Sequence, residues 1–318
     1  MTLWAAGLVA AALPESRLRA GDPAASKPDD GPIQVAFSGS MFVDVNENDA
    51  SAAVRVWAQM LSKEHGIPVN QTVRILRGTN AIAAALQSHT ADIITLTTEE
   101  YWALRKDVPF GSFAYGQMAG KITEEYILLV HKDTGIERLA DLRGHSLGLF
   151  RNPRASLAPA WLDTLLAKEG AGRPVEFFSR VTDASKLTKA LLPVFFRQSD
   201  ACVVTRQGFE VAKELNPQID RQLKILATSV PLVPTVFCFR DDYRSPNRDK
   251  LVAEIRKVDS TPAGRQFMTL FQCDTVIEGT EESMKSAFEL LALHTQLCED
   301  APNPARPSPI VPAGRQAP

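Results

Sequence analysis

Residues 77–106 read RGTNAIAAALQSHTADIITLTTEEYWALRK, and the order of patterns in this stretch decides the fold class. Gly78-Thr79-Asn80 predicts a turn that caps a helix, because a Thr or Asn side chain can satisfy the first free backbone N–H groups. Ile82, Ala85, Leu86 and His89 recur at helical spacing and predict one inward face. The helix gives way at Ser88-His89-Thr90. Ala91-Asp92 then leads into the β-branched run Ile93-Ile94-Thr95-Leu96. Thr97-Thr98-Glu99-Glu100 opens a second helix, with hydroxyls followed by carboxylates in its first turn. The unit is helix, buried parallel strand, helix. Ligands of open α/β sheets bind at the carboxyl ends of such strands.

Outward from this unit the alternation continues. Upstream, strands are expected at Ile33 to Phe37 and Thr72 to Leu76. A helix capped by Asn48 or Asp49 lies between them and carries Ala53, Val56, Trp57, Met60 and Leu61 on one stripe. Downstream, strands are expected near 111–119, 125–131, 146–150, 175–178, 200–204 and 224–228. Helices are expected near 157–169 and 184–192, and from Thr205-Arg206 onward. A returning strand, Val236 to Arg240, follows the extended segment Val230-Pro231-Leu232-Val233-Pro234. Residues 246–297 read as helical with a break near 276–279. Strands alternating with helices give an α/β class.

The 318 residues, 45% apolar and 23% charged, suit an ordinary globular chain with one large or two medium domains. A net charge of −2 gives no reason to expect nucleic acid. Residues 2–13 (TLWAAGLVAAAL) have the length of a signal-peptide core and are too short to span a bilayer. No basic residue precedes them, while Arg17 and Arg19 follow. Residues 14–32 are Pro-rich and read as a linker, and the Pro-rich stretch 298–318 reads as a disordered tail.

The four cysteines, Cys202, Cys238, Cys273 and Cys298, form no CxxC motif and leave zinc unsupported. Cys202 and Cys238 sit in apolar runs as buried thiols. If the chain forms a bridge, Cys273 and Cys298 are its partners. Asp44-x-Asn46-x-Asn48 opens like a calcium loop but has Asp49 and Arg55 where Gly and Glu are needed, so no metal site is expected. No GxSxG, P-loop, HExxH or Cys/His nucleophile pattern occurs, so no catalytic residue is assigned.

Gly78-Thr79, Ala91-Asp92-Ile93, Asp141-Leu142-Arg143-Gly144 and Asp200-Ala201, in that order, resemble the phosphate/phosphonate-binding family of periplasmic solute-binding proteins. More broadly they resemble type 2 periplasmic binding proteins of ABC transporters. The likeness spans about 33–297. It implies an α/β, two-lobed type 2 fold with a ligand cleft between lobes joined by two crossover segments. Residues 33–118 plus 236–297 would form lobe 1. Residues 119–235, with the crossovers, would form lobe 2, and 1–32 would be a signal-like segment and linker.

Carried over residue by residue, the ligand-binding candidates of lobe 1 are Ser38, Ser40, Thr79, Thr97, Thr98 and Tyr101. Those of lobe 2 are Arg151, Asn152, Arg154, Ser156 and Thr205. Phosphonate-binding members carry a small Ser/Thr/Gly-rich turn where this chain has Arg151-Asn152-Pro153-Arg154-Ala155-Ser156. Two guanidiniums there could bind a phosphate or carboxylate bidentately, or sit on the rim as solvated charge. The resemblance implies a periplasmic monomer that captures a small anion for an ABC permease, without cofactor. A sensing module that signals to a membrane histidine kinase is the alternative, and an enzyme ranks behind both.

Overall fold

The computed structural model describes residues 31–43 and 45–300, the side chains of 298–300 excepted. The signal-like segment, nearly all of the linker, the tail beyond 300 and Asp44 of the calcium-like loop lie outside the described residues. In chain order the elements are β1 Val35–Ser38, α1 Glu47–Glu64, β2 Arg74–Leu76, α2 Thr79–Gln87, β3 Ile93–Thr97, α3 Thr98–Leu104, β4 Phe110–Gln117 and β5 Tyr126–His131. Then come β6 Ser146–Phe150, α4 Ala158–Lys168, α5 Pro174–Phe177, β7 Arg180–Ala184, α6 Leu187–Phe195, β8 Ala201–Thr205, α7 Arg206–Leu215 and α8 Pro217–Gln222. The last are β9 Leu223–Thr228, β10 Thr235–Arg240, α9 Arg248–Ile255, α10 Pro262–Leu270, β11 Thr275–Gly279 and α11 Lys285–Asp300.

The strands form two sheets, ordered β11-β4-β10-β3-β1-β2 and β7-β6-β8-β5-β9. Each is built around three parallel strands, β2-β1-β3 in the first and β7-β6-β8 in the second. Antiparallel strands extend each triplet on one side, β10 beside β3 and β5 beside β8. In both sheets the chain leaves the middle strand of the triplet to one side and returns on the other. That reversal is the topological switch point, where a crevice opens at the carboxyl ends of the strands.

Asp92 and Asp200 do the same job at the opposite, amino ends of the two sheets. Asp92 Oδ2 accepts from Gln34 N at 2.8 Å, tying the start of β3 to that of β1. Asp200 Oδ2 accepts from Ser146 N at 2.8 Å and Ser146 Oγ at 2.7 Å, tying the start of β8 to that of β6. The two Ala/Asp motifs are therefore strand-alignment devices, remote from the cleft.

Two apolar clusters cover the faces of the first sheet and a third encloses the second. Trp57 of α1 stacks on Phe267 of α10 with ring centroids 4.4 Å apart. Helix α11 joins both halves: Ala287 and Leu291 belong to the second sheet's core, while Phe288 stacks on Tyr101 of α3.

Local expectations fail in several places. Helix α1 is capped by Asn46, whose Oδ1 accepts from Asn48 N, so the cap lies upstream of Asn48 and Asp49. No side chain caps α2; its N-cap is Gly78 itself, at φ 80° and ψ 153°. His89 is exposed rather than inward, because α2 stops at Gln87 and His89 turns to φ 55°. Residues 175–177 fall in the short helix α5 opened by Pro174, with Phe178 as its C-cap, and the strand follows later as β7. The break near 276–279 is a strand, β11, paired with β4 at the sheet edge. Cys273 is a buried free thiol against Met268, not a bridge partner, and burial pushes its pKa up to about 12. Cys202 and Cys238 are buried free thiols.

Candidate functional site

The carboxyl-end turns of the two sheets meet at the returning crossover. The Pro234 carbonyl accepts from Thr98 N of the first sheet at 2.9 Å and from Ser156 Oγ of the second at 2.9 Å. Thr98 Oγ1 donates to the Val233 carbonyl at 2.7 Å. The outgoing crossover pairs with the returning one through reciprocal backbone bonds between Glu124 and Leu232. The hinge is thus stitched to the helix-opening turns of both halves.

Arg154 lies inside this hinge. It is 6% exposed, and its Nε donates to Glu124 Oε1 at 2.5 Å. Burial raises the Glu124 carboxyl above its usual range, against the lowering pull of Arg154. Its backbone is held as well: Arg154 N donates to Asn152 Oδ1, and its carbonyl accepts from Tyr126 Oη.

In the first half, Glu100 gathers the hydroxyls. Its Oε1 accepts from Ser38 Oγ at 2.5 Å and Ser40 Oγ at 2.8 Å. Its Oε2 accepts from Thr97 N at 3.0 Å and Thr97 Oγ1 at 3.1 Å. The Thr97-x-x-Glu100 spacing is a capping box, and Glu100 N returns a bond to Thr97 Oγ1. Tyr101 points away, donating to Glu281 Oε1 at 2.8 Å.

Thr79 is half-buried at the uncapped start of α2, and no hydrogen bond from its side chain is seen among the described residues. Ser40 is exposed in the turn after β1. Arg151 is partly exposed and pairs with Asp183 at 2.8 Å. Thr205 Oγ1 accepts from Gly208 N at 3.2 Å, capping α7, which leaves its own proton for another acceptor.

Glu99, in the first turn of α3, feels three charges. Its carboxyl is raised, first by the desolvating wall around it and then by Glu100, while His294 and Arg151 pull it down. His294 Nε2 is itself 3.0 Å from Asp163 Oδ2. Glu99, Glu100, Glu124 and Pro234 were absent from the candidates read from sequence. The capping-box spacing was a usable signal for Glu100; nothing local marks Glu124, whose partner is 30 residues away.

A separate cavity of about 190 Å³ lies in the first half, away from the cleft, lined by Phe113, Phe237, Phe239, Val252 and Arg248. Among the described residues no cluster of His, Cys, Asp and Glu could hold a metal, and no helix is long and apolar enough to cross a membrane.

A family model described as ABC transporter, phosphonate, periplasmic substrate-binding protein matches residues 40–284. The chain belongs to this family. Its members are periplasmic binding components of ABC transporters. A binding protein component of an ABC phosphonate transporter from Pseudomonas aeruginosa aligns with a TM-score of 0.59 at 17% identity, covering 87% of this chain and 91% of that one. XAC2383 from Xanthomonas citri, bound to chloride, aligns at 0.56 with 16% identity over 84% and 99%. PhnD1 from Prochlorococcus marinus, in complex with methylphosphonate, aligns at 0.54 with 14% identity over 81% and 96%. At these identities the likeness is one of fold. No curated protein sequence matches the chain. This family member is an α/β, two-lobed periplasmic binding protein, with its sheets as the cores of the lobes.

Proposed function

We propose that the chain captures a small oxyanion of the phosphonate or phosphate kind between its lobes and presents it to an ABC permease. Family membership supports this, and the observation that carries it is the convergence of both lobes' strand-end turns on the Pro234 carbonyl. Lobe 1 would comprise 33–118 and 236–297, and lobe 2 would comprise 119–235. The chain would act as a monomer, without catalysis or cofactor, after cleavage within the Pro-rich linker before Ile33 on export.

The candidate groups divide by what they already hold. Ser38, Ser40, Thr97, Thr98, Tyr101, Arg154 and Ser156 are committed to protein partners and shape the turns. Thr79, Arg151, Asn152 and Thr205 keep donor capacity. Thr79 begins a nine-residue helix whose first N–H groups no side chain caps, which favours an anion there. Arg151 supplies the countercharge from the opposite lobe.

The test is calorimetric titration with methylphosphonate, phosphate, sulfate, acetate and glucose. An oxyanion should bind, and Arg151→Ala should weaken it about tenfold or more, since a charge-assisted bond contributes roughly 1.5–3 kcal/mol. Preference for glucose, unmoved by Arg151→Ala and Thr79→Ala, would overturn the reading. Mass spectrometry of protein from its native host checks export separately: the expected N-terminus lies within 14–32, and an intact Met1 would contradict it.

A further inference from the structure

Glu100 occupies the lobe 1 turn as a tethered anion. Four donors, two on each oxygen, fill the four in-plane acceptor positions of its carboxylate. Bonds of this kind fix the carboxylate in position. Two consequences follow for any ligand that reaches Ser40. The protons of Ser38, Ser40 and Thr97 are spent on Glu100, so they do not neutralise the ligand. The charge of Glu100 remains beside it, and Coulomb repulsion scales with ligand charge, so a dianion meets twice what a monoanion meets.

The neighbouring cations do not cancel this. Arg77, packed against the Ser38–Ser40 turn at Gly39, is paired with Glu47 of α1. Arg151 of lobe 2 is paired with Asp183, and His294 of α11 with Asp163. On α3 itself Glu99 adds a further acidic group facing Arg151 and His294. The cations around the turn thus each have a carboxylate partner, while Glu100 places an opposing charge in lobe 1.

We propose that Glu100 is a charge filter that restricts the ligand to singly charged oxyanions, such as a phosphonate monoanion or a sulfonate, and excludes dianions. This rests on the oxyanion reading above. The probes are methanesulfonate and sulfate, which carry one and two charges and do not titrate in the working pH range. The wild-type chain should bind methanesulfonate at least tenfold more tightly than sulfate. Glu100→Gln keeps an oxygen acceptor for the capping box and removes the charge; it should tighten sulfate about tenfold and methanesulfonate only about threefold, the square root expected for half the charge.

A second readout needs no substitution. Wild-type affinity for phosphate should fall as rising pH converts it from monoanion to dianion. An unchanged sulfate-to-methanesulfonate ratio in Glu100→Gln, or wild-type phosphate affinity that rises with pH, overturns the filter and leaves the oxyanion reading standing. Failure of every oxyanion to bind both folded proteins overturns both.

Discussion

Arg154 and Glu124 form an ion pair nearly removed from water, with side chains 7% and 4% exposed. Breaking such a pair leaves an uncompensated buried charge, whereas replacing both partners with apolar groups need not destabilise. Glu124→Ala should therefore cost about 3–5 kcal/mol, and Glu124→Met with Arg154→Met should recover most of that loss. Chemical denaturation of the three proteins checks this; equal stability of the single and double variants would contradict it.

Asp200 is the residue-scale counterpart at the amino end. Burial pushes its carboxyl up, but the Ser146 N–H and hydroxyl, with His145, outweigh that and hold it below the usual range. Its contribution is present above the unfolded carboxylate value and lost as pH falls through the lowered one. Ser38, Ser40 and Thr97 were legible as strand-end hydroxyls, but their acceptor was not. Glu100 lies 62 and 60 residues from the two serines, and only the sheet brings them together.

Elements were legible where periodicity and length agreed. The stretch from Gly78 to Leu104 formed its helix, buried strand and helix because the β-branched run Ile93-Ile94-Thr95 lies between parallel β1 and antiparallel β10, and all five residues of β3 are buried. β11 was hidden because a strand at a sheet edge, with Glu278 and Gly279 exposed, has no apolar run to announce it. α5 was mistaken for a strand because Val175, Phe177 and Phe178 suit either state, and Pro174 decides for a helix by fixing the first turn.

Gly78 tests the element that opens the α2 turn. Its φ 80° and ψ 153° lie in a region essentially reserved for glycine, with open space around a would-be Cβ. Gly78→Ala should cost about 1–3 kcal/mol by backbone strain alone. Thermal unfolding reads the loss; a neutral result would mean that the turn is not held in this conformation.

At the scale of the molecule, the two-lobed class followed from the repeated alternation and the Pro-containing return, while the role of α11 did not. Helical periodicity shows an apolar face but not that Ala287 and Leu291 serve one lobe and Phe288 the other. The His294 bond to Asp163 fastens α11 to α4, and that bond, ahead of the opposing burial, raises the imidazole above its ordinary value. The resulting stability is complete below the ordinary histidine value and is lost as pH rises through the raised one. Both side chains are partly exposed, so the loss should be of order 0.5–1 kcal/mol. Unfolding measured from pH 6 upward should show it in the wild type and not in His294→Gln; identical profiles would remove the pair from the account.

The central claim is that a small oxyanion lies between the lobes. Crystals grown with saturating methylphosphonate test it most directly. The account predicts density in the cleft, within hydrogen-bond distance of Arg151 and of Thr79 or the first N–H groups of α2. Density confined to the cavity beside Phe237 and Arg248, or an empty cleft at saturation, would contradict it.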